Sequence, residues 1–395
     1  MIKSVVFVTV LFLSLTFTSN ASYGANILRD GEGKFLFRLR HEAVDQSGLP
    51  EDASASTLLS RFTWDSSPAS KWSVGLEVDY LSVIGSEAFN TTENGKTRYP
   101  VVPDPEGLDL NQVFVRYDQG EAVFIFGRQR ILLDDQRFVG GVGWRQNEQT
   151  YDALRAVTTI GKHKIDYSYV WNVNRIFGPD DGAQPADWHG NSHFLTAGLF
   201  DTEHHHFSGY AYLLDFENAN GPANSSTTYG LSYKGTLDQL NLRASIARQA
   251  DYGDSPLDYR ANFYELAADY QFPGVKVSGG WQLLGSDDGA AVFSTPLATL
   301  HKFQGWSDVF LNTPTNGIED IYVGASGGIG KAKLALNYHH YNADEGSTSY
   351  GSEWNLVGTM KLTDMLTLQA KYADYRAEDF ATDRTKIWLT LIFRP

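Results

Sequence analysis

Hydrophobic and polar residues alternate along almost the whole chain. Phe35, Phe37 and Leu39 interleave with Lys34, Arg38 and Arg40, and Trp72, Val74, Leu76, Val78 and Tyr80 with Lys71, Ser73, Gly75, Glu77 and Asp79. Ile165, Tyr167, Tyr169, Trp171 and Val173 alternate in the same way with Lys164, Asp166, Ser168 and Asn172. Late in the chain, Leu366, Leu368, Ala370 and Tyr372 alternate with Thr367, Gln369 and Lys371. Successive side chains of an extended chain point to opposite faces, so each run predicts a strand with one apolar face. Eighteen such segments are predicted, starting near residues 34, 56, 71, 109, 121, 151, 163, 192, 204, 227, 239, 261, 274, 319, 331, 351, 366 and 385.

The predicted connections separate into two kinds. Short turns fall at 65–70, 118–120, 161–163, 201–204, 235–239, 272–274, 328–331 and 362–365, and longer links between them include 81–109, 132–150, 174–191 and 285–318. Alternation of tight turns with long links, together with an even strand number, is the signature of a transmembrane antiparallel β-barrel with short periplasmic turns and long extracellular loops. The last strand, with Ile387, Leu389, Leu391 and Phe393 on one parity, runs almost to the C-terminus and would close the ring. Trp72, Tyr80, Tyr117, Tyr167, Trp171, Tyr229, Tyr233, Tyr264, Tyr270, Trp281, Tyr338, Trp354 and Tyr372 share the apolar parity. Their amphipathic rings suit the two headgroup interfaces. The alternative is the core of a soluble β-protein.

Composition narrows the setting. The 395 residues include 9 Trp, 21 Tyr, 23 Phe and 37 Gly but 3 Met and no Cys, which excludes disulfides, thiolate metal sites and cysteine nucleophiles. A formal charge of −15 argues against nucleic acid as a partner. Lys3, the apolar stretch Val5 to Phe17 and the small residues Ser19 and Ala21 read as a secretory signal peptide over residues 1–21, with 24 as the alternative end. The apolar stretch is shorter than a helical span requires. The expected organisation is one outer-membrane barrel over residues 26–395, in a Gram-negative bacterium, with outer-membrane lipid as its surroundings.

Eighteen strands enclose a channel unless loops fill it. On the parity opposite the apolar face, the first seven strands are expected to place Arg38, Arg40, Arg61, Arg116, Arg128, Arg130, Arg155 and Lys164 in the lumen, and the adjoining loop adds Arg137 and Arg145. The later strands carry a mixed set: Lys234, Arg243, Glu265, Asp269, Lys276, Lys333, Glu353, Lys361 and Lys371. A guanidinium fork binds carboxylates bidentately and stays charged, so an arc of arginines is a means of passing polyanions. The same arginines could instead brace the wall by pairing with Glu42, Glu77, Asp79, Asp118 and Asp152. Both readings stand at this point.

The segment 126–153, FGRQRILLDDQRFVGGVGWRQNEQTYDA, is the least generic part of the chain. Trp144, Arg145, Gln146 and Asn147 stand in a row after Gly140, Gly141 and Gly143, combining a stacking face, a carboxylate fork and amide partners for hydroxyls. Here the chain resembles the alginate-export family of outer-membrane porins, and Phe37-Arg38-Leu39-Arg40 with Glu42 resembles that family's first strand. The resemblance implies an eighteen-stranded monomeric barrel with a constricted, electropositive pore for an anionic uronate polymer, and periplasmic export or barrel-assembly machinery as partners. It carries over Arg128, Arg130, Arg137, Arg145 and Asn147 as pore or loop residues. Gln129 and Trp144 join them as substrate-binding candidates beside Arg38, Arg40, Arg61, Arg116 and Arg155.

Other chemistry is thin. Adjacent histidines in His204-His205-His206 and His339-His340 diverge on a strand, so no metal site is expected there. Asp180-Asp181 and Asp287-Asp288 are candidates for Ca2+ in the outer loops, against the simpler account of solvated charge. No HExxH motif and no phosphate-cradling loop is present, and no Ser/His/Asp spacing stands out, so no catalytic residue is named. The expected function is a channel for anionic saccharides. The alternatives are an outer-membrane barrel enzyme, and a surface adhesion or structural barrel with a plugged pore.

Overall fold

The computed structural model describes residues 30–395 apart from 69 and 220; the expected signal peptide lies outside the described residues. Eighteen strands form one sheet: β1 (Gly31–Gln46), β2 (Ala53–Ser66), β3 (Trp72–Val83), β4 (Gly107–Asp118), β5 (Ala122–Gln129), β6 (Thr150–Ile160), β7 (His163–Asn174), β8 (Asp187–Asp201), β9 (His205–Leu214), β10 (Ser226–Leu237), β11 (Leu240–Asp251), β12 (Arg260–Phe272), β13 (Val275–Leu284), β16 (Ile318–Ile329), β17 (Ala332–Asn342), β18 (Ser349–Lys361), β19 (Leu366–Ala377) and β20 (Arg384–Phe393). A small hairpin, β14 (Ser286–Asp287) and β15 (Ala291–Val292), sits in the link after β13. Each barrel strand pairs antiparallel with its chain neighbours, and β1 closes the ring on β20 with Arg40 opposite Thr390.

The faces are inverted relative to a soluble protein, as lipid on the outside requires. Leu231, Leu266 and Val323 are more than half exposed, whereas Glu77, Asp79 and Gln282 on the opposite parity are buried in the lumen. Aromatic pairs mark the two interfaces: Trp72 with Tyr117 near the short turns, and Tyr338 with Trp354 toward the other end.

The observed starts lie within three residues of expectation except at β8, which begins at Asp187 rather than near residue 192. A bulge in β8 interrupts the alternation between His189 and Ser192. A matching irregularity at Trp171 turns Val173 inward, where it is buried, although simple alternation puts it outside. Short and long links do not alternate strictly either: the outer links 47–52, 343–348 and 378–383 are as brief as the turns. The outer half of the barrel is filled. Ile131, Leu133 and Val139 of the β5–β6 loop and Phe293, Leu297 and Phe310 of the β13–β16 link pack with wall residues Tyr151, Phe194, Tyr210, Phe263 and Tyr375 in one buried cluster.

Candidate functional site

Most of the arginine arc is engaged by carboxylates. Arg61 donates to both oxygens of Asp79 at 2.7 and 2.6 Å and to Glu148 at 2.7 Å. Arg130 pairs with Glu148 and Glu77, and Glu77 also accepts from Thr63 at 2.7 Å and Asn111 at 2.6 Å. Arg155 forks onto Asp166 at 2.9 and 2.5 Å, and Arg116 pairs with Asp118 at 2.7 Å near the short turns. Glu148 belongs to the infolded β5–β6 loop: burial works to raise its carboxyl, but Arg61 and Arg130 hold it down at about 2. These pairs bind the loop to the wall.

Arg128 departs from its expected place. Its cross-strand partners are Val113 and Asp152, and it shares the parity of the lipid-facing Phe124 and Phe126, so it lies on the outward face. There it forks onto Asp152 at 2.8 and 3.1 Å. The apolar residues on both faces of β5, Val123 and Ile125 as well as the phenylalanines, conceal the parity in the sequence. Gln129 is inward and donates to the carbonyls of Gly127 and Ala153, both at 3.2 Å, at the strand end.

The row from Trp144 to Asn147 ties the loop down. Arg145 pairs with Glu42 at 2.7 Å, both buried. Gln146 accepts from Arg38 at 2.7 Å and donates to Thr57 Oγ1 at 2.9 Å. Asn147 donates to the Gly178 carbonyl at 3.0 Å, tethering the link between β7 and β8. Arg38 also donates to the carbonyls of Gly143, at 3.1 Å, and Arg145. Arg40 donates to the Trp144 carbonyl at 2.7 Å and lies over its indole at 4.2 Å. Arg137 is buried between Phe263 and Phe303, at 5.6 and 4.7 Å, and its guanidinium has no hydrogen-bond partner among the described residues; burial pushes it down to about 10.

A second loop meets the first. The Gly140 N–H donates to Leu297 O at 2.9 Å and the Thr299 N–H to Gln136 O at 3.0 Å. Glu353 on β18 accepts the backbone N–H groups of Trp306 and Ser307 at 2.5 and 2.8 Å. Lys386 and His301 both contact Asp308 at 2.7 Å. Between the loops, the Lys371 ammonium lies 3.7 Å from the Trp306 ring, 4.0 Å from Trp144 and 5.4 Å from Trp388, and touches His301. Burial holds the His301 imidazole down at about 3, so it is neutral beside this ammonium. His301 stacks on Trp144 at 4.7 Å. This cage joins β19, β20 and both loops.

The profile of the alginate export family matches residues 84–286. The chain belongs to the alginate export family. Its fold is similar to Acinetobacter baumannii OccAB4 (TM-score 0.70, 13% identity, 93% of this chain and 98% of that one) and Pseudomonas aeruginosa OpdO (0.70, 12%, 94% and 99%). It is also similar to the P. aeruginosa outer membrane protein OpdK (0.68, 13%, 93% and 99%). No curated protein sequence matches significantly. Family and fold are those of outer-membrane channels, which are not enzymes, and they point to the outer membrane of a Gram-negative bacterium.

In this alginate export family member the sequence candidates do not form one site. Arg38, Arg40, Trp144, Arg145 and Asn147 gather around the first loop, Arg61 and Arg130 around Glu148, and Arg116, Arg128 and Arg155 stand apart with their own carboxylates. Trp306, His301 and Trp388 were not foreseen; no spacing joins them to Trp144, and only the infolding of the 285–317 link does. Toward the short turns the lumen keeps a recess of about 450 Å³ lined by His206, Lys234, Arg243, Asp269 and Tyr322. Even there Arg243 is paired, with Asp135 at 2.5 Å and Glu265 at 2.8 Å.

Proposed function

We propose that this barrel is an outer-membrane channel passing anionic saccharides, alginate-like uronate polymer or oligomers. The observation that carries this reading is the balance of uncommitted charge in the lumen. The wall carboxylates Glu42, Glu77, Asp79, Asp166, Glu265, Asp320 and Glu353 all accept hydrogen bonds from the protein. Lys164, Lys276, Lys333 and Lys361 lie on the lumen parity, exposed, with no ion partner among the described residues. Asp65 and Asp269 on the same parity also lack an ion partner among the described residues, so the accessible lumen charge is positive on balance rather than uniformly, in a chain whose formal charge is −15. Such a wall favours polyanions over cations.

The two loops fold into the outer half and so stand on the path of a polymer. That plug favours a second reading, a barrel that stays shut and acts through its surface. Planar-bilayer recording of the refolded protein separates the two. A conducting, anion-selective pore blocked by oligouronates is expected. A silent barrel, or a cation-selective one indifferent to uronates, would overturn the proposal.

A further inference from the structure

The free lysines are gathered rather than scattered. A recess of about 610 Å³ in the lumen wall is lined by residues that include Gln271, Lys276, Ser326, Gly328, Lys333 and Thr359, and no carboxylate lines it. Register explains its shape. Lys276 on β13 stands opposite Ser326 on β16, and Lys333 on β17 stands between Gly328 on β16 and Thr359 on β18. The floor under β16 is thus a hydroxymethyl and a glycine, and the ammonium groups rise on either side of it. Strands lie about 4.8 Å apart, so two spacings separate the lysine-bearing strands by about 10 Å. All these residues sit near the β12–β13 and β16–β17 turns, at the end that also holds the start of β1 and the end of β20. In outer-membrane barrels the short-turn end faces the periplasm.

We propose that Lys276 and Lys333, with the Ser326 and Thr359 hydroxyls and the Gln271 amide, form a docking subsite for an oligouronate at the periplasmic mouth. The inference rests on the channel reading above and deepens it: the arginines brace the wall, and the lysines of the opposite arc receive the substrate. The two cation types suit this division. A guanidinium fork locked bidentately onto a carboxylate, as at Arg61 and Arg155, is fixed in place. A lysine ammonium is a hydrated point charge on a flexible stem, and it holds a passing carboxylate without trapping it. Conduction needs that kind of binding, favourable enough to admit and weak enough to release. Two ammonium groups on strands about 10 Å apart, offset by two residues along the wall over a hydroxyl-bearing floor, match a chain carrying a carboxylate on each sugar better than a single small anion.

The test is single-channel block of the full-length protein by hexauronate added to the short-turn side. Wild type is expected to be blocked, and the Lys276→Gln/Lys333→Gln double variant to need about tenfold more hexauronate. Lys71→Gln, which removes a lysine of the β2–β3 turn on the same side, serves as the control and should block like wild type. A charge-reversed pair, Lys276→Glu/Lys333→Glu, should abolish block. If wild type is blocked and both pairs are blocked equally well, the subsite is wrong while the channel reading survives. If wild type is not blocked from either side, the channel reading itself fails.

Discussion

Replacing Trp144 by alanine should release the plug while leaving the barrel closed. Trp144 lies under Arg40 at 4.2 Å and beside Lys371 at 4.0 Å, stacks on His301 at 4.7 Å and meets the edge of Trp388 at 5.7 Å. It joins the second loop to three wall strands, β1, β19 and β20, while Phe138 joins the same two loops to β9 and β12. Truncating a fully buried Trp costs about 3–5 kcal/mol, and desolvated cation–π contacts contribute about 1 kcal/mol each. Trp144 is only partly buried, so about 2–3 kcal/mol is the expected cost, a rise of about 30- to 150-fold in the ratio of released to docked loop. Two readouts report it. Open probability in a bilayer should rise, and trypsin should cut after Arg137 and Arg145, which are buried while the loops are docked. The barrel should keep its heat-modifiable electrophoretic mobility, because no strand pairing depends on the indole. Wild-type trypsin resistance together with wild-type conductance in a folded Trp144→Ala protein would refute the cage as the fastener.

Two further outcomes follow from the same geometry. Glu148→Gln removes one carboxylate from Arg61 and Arg130, each of which keeps another, so the first loop should loosen by about 2–4 kcal/mol. Because the Glu148 carboxyl is held below its ordinary value of 4.5, its contribution is fully present above that pH and is lost as pH falls toward about 2. The hydrogen-exchange protection factors of residues 130–149 should therefore fall between these limits in wild type and not in the variant. Gly127→Ala places a Cβ about 2.4 Å from Val113 O at a backbone φ of +117°, so urea should unfold the variant at a lower midpoint, by about 1–3 kcal/mol or more. An unchanged midpoint would contradict the β4–β5 register.

The barrel was legible in the sequence because lipid enforces a simple rule. Runs such as Trp72 to Tyr80 must alternate to keep one face apolar, and all eighteen strands obeyed it closely enough to be counted. Places where the rule misled are local. At Trp171 an extra residue shifts the pleat and turns Val173 inward, and in β5 apolar residues on both faces hid the outward placement of Arg128. Charge was harder to read. Arg38, Arg61 and Arg155 are inward as alternation requires, but their partners, Gln146, Asp79 and Asp166, are set by register and loop folding, which a list of charged residues does not contain. The density of Trp144, Arg145, Gln146 and Asn147 did mark an unusual loop. Its immediate physical cause is the need to satisfy polar groups inside the barrel, since buried donors and acceptors left unpaired are costly.

The central claim is that the lumen favours anionic saccharides, and relative flux tests it most directly. Proteoliposomes containing the Trp144→Ala variant, loaded with oligouronates and with uncharged oligosaccharides of the same length, should release the uronates faster. Equal release, or faster release of the uncharged chains, would contradict the account.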